Sequence, residues 1–196
     1  MILILKWTDY IVQMLLNENI ISENDRAVYQ YCVQTTLFQL LTYSCILLLA
    51  WYFDVVGVTL AYYAGFLPIR YVAGGYHASS HKHCFCMTIA IYAISLGICF
   101  QIIERAAYAF LFGSVVISIV MILWAAPVDH KNRTFSPREK DRFRRRSYII
   151  TIVIIVLSLV VLTISVEMSV AMSLGTLSAA CSLVAGSIQR RKEQLC

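Results

Sequence analysis

Charge is scarce in this chain. Only 14% of its 196 residues are charged, while 60% are hydrophobic and mean hydropathy is +0.73. That balance excludes an ordinary soluble domain and marks a protein whose solvent is largely lipid. A cleavable leader is also missing, because Met1 to Leu16 carries Lys6 and Asp9 inside its apolar stretch and lacks a small-residue cleavage site. No prenylation box closes the chain, since Cys196 is the last residue rather than the fourth from the end. The seven cysteines do not predict disulfides. Cys32, Cys45, Cys99 and Cys181 lie in or beside apolar runs, where a cysteine behaves as a small hydrophobe. No heptad repeat and no inverted repeat is visible, and nothing in the pattern calls for a nucleic-acid partner.

What is present is a series of long apolar runs. A hydrocarbon core about 30 Å thick asks for about 20 mainly apolar residues per helix. Six runs qualify as candidates: Thr36 to Phe53, Val55 to Ile69, Cys84 to Ile103, Ala106 to Val128, Tyr148 to Val166 and Met168 to Ile188. The second is short and ends at Pro68, which allows a tilted, re-entrant or broken segment. Ile4, Trp7, Ile11 and Leu15 recur at helical spacing ahead of them, which predicts an amphipathic helix on the membrane or packed on the bundle. Ser22 and Asp25, three apart, approximate a capping box and predict a helix starting at Ser22. The expected fold is an all-α, polytopic integral membrane bundle of about six spans. Residues 1–34 form an amphipathic region, 35–188 the bundle and 189–196 a basic tail.

Basic residues set the expected orientation. The loop from Asp129 to Ser147 holds eight cations against three acids, a net +5 in nineteen residues, and Arg190, Arg191 and Lys192 follow near the end. The short turns at Asp54, Glu104-Arg105 and Glu167 hold one basic residue between them. Both chain ends, and the loop from Arg70 to His83, are therefore expected in the cytoplasm.

That loop departs most from the apolar background. It reads Arg-Tyr-Val-Ala-Gly-Gly-Tyr-His-Ala-Ser-Ser-His-Lys-His-Cys-Phe-Cys over residues 70–86 and carries three of the four histidines. Ionisable groups at the edge of a bilayer are functional candidates. Two chemistries fit. Cys84 can serve as a nucleophile with His77 as its base, provided that their side chains meet. Seven residues of straight helix would hold them roughly 10 Å apart, so the chain must fold back, and Gly74-Gly75 permits it. Alternatively His77, His81, His83, Cys84 and Cys86 are ligand types for zinc. Their spacing matches no familiar structural site. A transporter would also use a polar break in a bundle, although few polar residues interrupt the spans.

Arg70, Gly74-Gly75, His77 and Cys84, followed by Ala126-Pro127-Val128 and Asn132-Arg133, resemble the accessory gene regulator B family of Gram-positive bacteria. The resemblance extends to length, span order and motif placement. It implies a multi-pass cell-membrane cysteine endopeptidase that cuts a quorum-sensing precursor peptide and promotes (thio)lactone ring closure, without a cofactor or metal. On the matching positions it makes Cys84 the nucleophile, His77 the general base, and Arg70, Gly74 and Gly75 supporting residues. Its implied partners are the precursor, membrane lipid and a second copy of the chain. Lys131, Arg133, Arg144, Arg145 and Arg146 become candidates for holding an acidic precursor tail, a role that competes with topology and lipid attraction. Arg133-Thr134 stands where many members have Lys-Pro.

Overall fold

The computed structural model describes residues 2–76, 80–102, 104–128 and 136–195. Among these residues seven α-helices run in the order α1 (Ile2–Asn17), α2 (Arg26–Tyr52), α3 (Val56–Ala73), α4 (His81–Gln101), α5 (Glu104–Ala125), α6 (Pro137–Leu162) and α7 (Val166–Leu195), with a short 3-10 helix at Glu23–Asp25. No strand occurs among the described residues. Contacts divide the chain into two units, one of residues 1–49 and 78–89, the other of residues 50–77 and 90–196.

In the first unit α1 buries Thr8 and Val12. Trp7, on the apolar stripe expected to meet either membrane or bundle, is 55% exposed and meets Tyr10 edge to face. Thr8 tolerates burial because its hydroxyl donates to the Ile4 carbonyl at 2.9 Å. The Gln30 amide donates to Asp9 at 2.9 Å and ties α2 to α1. Helix α1 stops in a Schellman motif: Asn19 has φ +53°, its N–H reaches Leu16, and the Ile20 N–H reaches Leu15. The Ser22 expectation holds in position but not in detail. Its hydroxyl donates to the Asp25 carboxylate at 2.6 Å and leaves the backbone uncapped.

In the second unit α7 is the central element. It packs against α3, α5 and α6, and 61% of its apolar window is buried, against 28% or less for the other spanning candidates. Small residues make this possible. A Cβ on Gly65 would strike the Met172 carbonyl, and one on Gly175 would strike the Tyr62 carbonyl, so α3 and α7 lie backbone to backbone. Tyr62 stacks on Phe66 and meets Tyr92 edge on, and Tyr92 shares a 2.6 Å hydrogen bond with Thr59.

Helix α6 is inside out relative to a soluble helix. Its buried positions are Ser147, Thr151, Ile154 and Ser158, whereas Ile149, Ile152, Val153, Val156, Leu159 and Val160 face outward. Aliphatic side chains outside and hydroxyls inside are what lipid as solvent selects. Ser158 and Ser169 pair at 3.0 Å between α6 and α7.

Each of the six expected runs falls on a helix. Among the described residues five helices are long and apolar enough to cross a membrane, and α3 is not among them. Its 18 residues include Arg70 and Pro68, and it hides Thr59, Tyr62 and Tyr63 in the bundle rather than presenting a fully apolar surface. Several boundaries differ from expectation; α5, for one, stops at Ala125 rather than Val128. Helix α3 does not end at Pro68 but continues to Ala73. Helix α6 begins eleven residues before Tyr148, because Ser136 and Glu139 form a reciprocal capping box with Pro137 in the first turn. Of the expected basic loop, the part from Pro137 onward is therefore helix, and the expected basic tail continues α7 to Leu195.

Candidate functional site

Arg70 lies in the last turn of α3. Its Nη1 donates to the Ser182 hydroxyl of α7 at 3.1 Å, and its Nη2 donates to the Tyr76 carbonyl. The planar fork of a guanidinium suits two acceptors held side by side. The Tyr76 N–H in turn donates to the Ser182 carbonyl at 2.8 Å. Residues 74–76 thus lie against α7 as a non-helical strap, held at the N–H and the carbonyl of Tyr76, one from each of the two peptide units that flank its Cα.

Both glycines of the pair are required by this path. Gly74 has φ +80° and Gly75 φ +145°, values that side-chain-bearing residues rarely adopt. A Cβ on Gly75 would strike Arg70 Nη1 and lie 2.9 Å from the Ser182 hydroxyl; one on Gly74 would lie 3.2 Å from the Val128 carbonyl. The Val128 N–H donates to the Ala73 carbonyl at 3.0 Å. The Gly74-Gly75 and Ala126-Pro127-Val128 motifs, about fifty residues apart in sequence, therefore meet at the end of α3. The Ala126–Pro127 bond is cis.

Cys84 stands in the first turn of α4 and is half-buried, while Cys86 is exposed. Ser80 caps that helix: its hydroxyl accepts from the His83 N–H at 3.3 Å, and its carbonyl accepts from the Cys84 N–H at 3.1 Å. Cys84 belongs to the first unit and Arg70, Gly74 and Gly75 to the second. His77, Lys131 and Arg133 lie outside the described residues.

Arg144 is engaged within the protein: its Nε donates to the Ala126 carbonyl at 3.3 Å. Arg145 and Arg146 are exposed on the same helix. Arg191 lies over the Trp124 ring, 5.0 Å from its centroid. No group of three His, Cys, Asp or Glu side chains comes together among the described residues, and the six described cysteines are free thiols. A cavity of about 260 Å³ lies at the other end of α7, lined by Cys99, Ile102, Ala107 and Glu167 among others, and includes none of the motif residues.

Sequence reasoning missed Ser182 and Gly186. A Cβ on Gly186 would lie 2.6 Å from the Gly75 carbonyl carbon and 2.7 Å from the Tyr76 nitrogen. The available signal was the Ser-x-x-x-Gly spacing, which by itself reads as generic helix packing.

A family model described as Accessory gene regulator B matches residues 6–184. No curated protein and no solved structure matches the chain.

Proposed function

The chain belongs to the accessory gene regulator B family, whose members act in quorum-sensing peptide processing, and from that premise we propose that it is a membrane cysteine endopeptidase with Cys84 as nucleophile and His77 as general base. The observation that carries the proposal is Cys84 in the capped first turn of α4, seven residues after a histidine whose preceding peptide unit is clamped by Arg70. A pinned backbone leading into a candidate base is what a preorganised site requires.

The Cys84 thiolate attacks a peptide carbonyl of the precursor, the C–N bond breaks, and His77 gives the leaving amine its proton. The acyl group is then a thioester on Cys84. Attack by a thiol or hydroxyl of the same precursor, whose proton passes to His77, breaks that C–S bond, returns Cys84 as a thiolate and closes a thiolactone or lactone ring. Water competing for the acyl group would give a linear acid, so a site poor in water favours closure. Oxyanion donors at the start of α4 would be first-turn backbone N–H groups other than those of His83 and Cys84, which Ser80 holds.

The reading places the protein in the cell membrane of a Gram-positive bacterium, with both ends and the site in the cytoplasm, acting on a precursor peptide as a homodimer. Cleavage assays on membranes test the chemistry. Cys84→Ser and His77→Ala are each expected to abolish precursor cleavage at normal protein levels, and Cys86→Ser to retain it, since Cys86 points about 200° around the helix from Cys84. Full cleavage by the Cys84→Ser protein would sink the proposal.

A further inference from the structure

Helices that pack at small residues four apart usually do so against another helix. Here the partner of Ser182 and Gly186 is the strap of residues 74–76. The two residues share one face of α7, one turn apart. The Ser182 carbonyl is the regular helical acceptor for the residue-186 N–H, and its second lone pair can accept another donor only if that donor comes close. The missing Cβ at Gly186 allows this approach: the Gly75–Tyr76 peptide occupies the space a side chain would take, and the Tyr76 N–H reaches the Ser182 carbonyl at 2.8 Å.

The consequence runs along the chain. The Tyr76 carbonyl is half of the peptide bond that joins Tyr76 to His77. Arg70 holds that carbonyl, and Ser182 holds Arg70 through its hydroxyl. We infer that Ser182 and Gly186 are positioning residues for the reaction: together they form a seat on α7 that fixes the peptide plane leading into His77, and so set the direction from which the base is delivered. They act through the strap and not on the reacting atoms. The inference rests on the Cys84–His77 reading proposed above.

The test measures alkylation of Cys84 by iodoacetamide against pH in the full chain in lipid nanodiscs, without precursor. Fragmentation mass spectrometry separates Cys84 from Cys86. His77→Ala defines how much of the parent's reactivity depends on the histidine. Ser182→Ala and Gly186→Ala should each lose that same component, with a rate fall of roughly tenfold or more, the scale of one hydrogen bond to a charged group. With precursor, both should lower kcat and leave KM near that of the parent. Gly175→Ala is the comparison, because its Cβ meets the Tyr62 carbonyl two turns earlier on α7; it should lower thermal stability yet keep the parental pH curve. Where Gly186→Ala fails to accumulate, Ser182→Ala decides alone, since it removes a single oxygen. Parental pH curves in the serine and glycine variants would overturn the inference and leave the Cys84–His77 pair standing. A His77→Ala curve identical to the parent's would overturn the pair, and the inference with it.

Discussion

Arg70 turns its guanidinium toward the protein's own chain, and this bears on which of two roles a basic residue at the edge of a span has. An interfacial anchor needs only a charge that reaches water. The fork of Arg70 instead spans the Tyr76 carbonyl and the Ser182 hydroxyl, which a single ammonium cannot hold in the same plane. Arg70→Lys should therefore keep normal protein levels and lose about one to two orders of magnitude in kcat, from about 1.5–3 kcal/mol for a charge-assisted hydrogen bond. Parental turnover by the lysine variant would reduce Arg70 to an anchor. Glycines separate in the same way. Gly75→Ala forces an unfavourable φ and a collision with Arg70, so cleavage should be lost. Nothing lies within 4 Å of a Cβ at Gly97, in mid-helix, where alanine is favoured by about 0.5–1 kcal/mol. Gly97→Ala should keep full cleavage with an unchanged or slightly raised Tm.

Helix α6 shows what hydropathy alone leaves unread. Its apolar half, from Tyr148 on, is visible as a span, but its start is set by Ser136-Pro137-Arg138-Glu139, a capping signal hidden in a run of charge. Because these cations lie on a helix, they are not equivalent. Arg144, Arg138, Arg142, Arg145 and Arg146 are all exposed, but Arg144 donates to the Ala126 carbonyl, whereas Arg138, Arg142 and Arg145 recur at spacings that share a face. Arg144→Ala should cost about 1 kcal/mol of stability, seen as a lower Tm, with KM little changed. Neutralising Arg142, Arg145 and Arg146 together should raise KM for a precursor with an acidic tail, and added salt should mimic this, with screening over about 8 Å at 0.15 M. An equal loss on a precursor whose tail carboxylates are amides would assign the face to lipid or topology.

Across the whole molecule, the spans were legible because lipid selects composition, and the Gly74-Gly75 path was legible because only glycine adopts it. The seat on α7 was not, since Arg70 and Ser182 are 112 residues apart and nothing local in α7 separates a seat for a strap from a seat for a helix. Helix α3 is the opposite case. It was read as a span, yet its buried tyrosines and Arg70 keep it outside the five helices apolar enough to cross a membrane. Eighteen residues at about 1.5 Å each nevertheless give about 27 Å, close to the hydrocarbon thickness, and we expect α3 to cross within the bundle beside α7. With the N-terminus inside, six crossings place Thr163 outside and Lys192 inside, and five reverse both. In a cysteine-free background, an impermeant maleimide added to intact cells should label Thr163→Cys and spare both Lys192→Cys and Lys6→Cys.

The central claim is that Cys84 carries the acyl group. Intact-protein and fragmentation mass spectrometry of the full chain, quenched in acid after brief mixing with its precursor, tests it most directly. The expected result is an added mass equal to the N-terminal part of the precursor, located on Cys84 and discharged by hydroxylamine. An adduct on any other residue, or cleavage by a fully active enzyme with no adduct at Cys84 under single-turnover conditions, would contradict it.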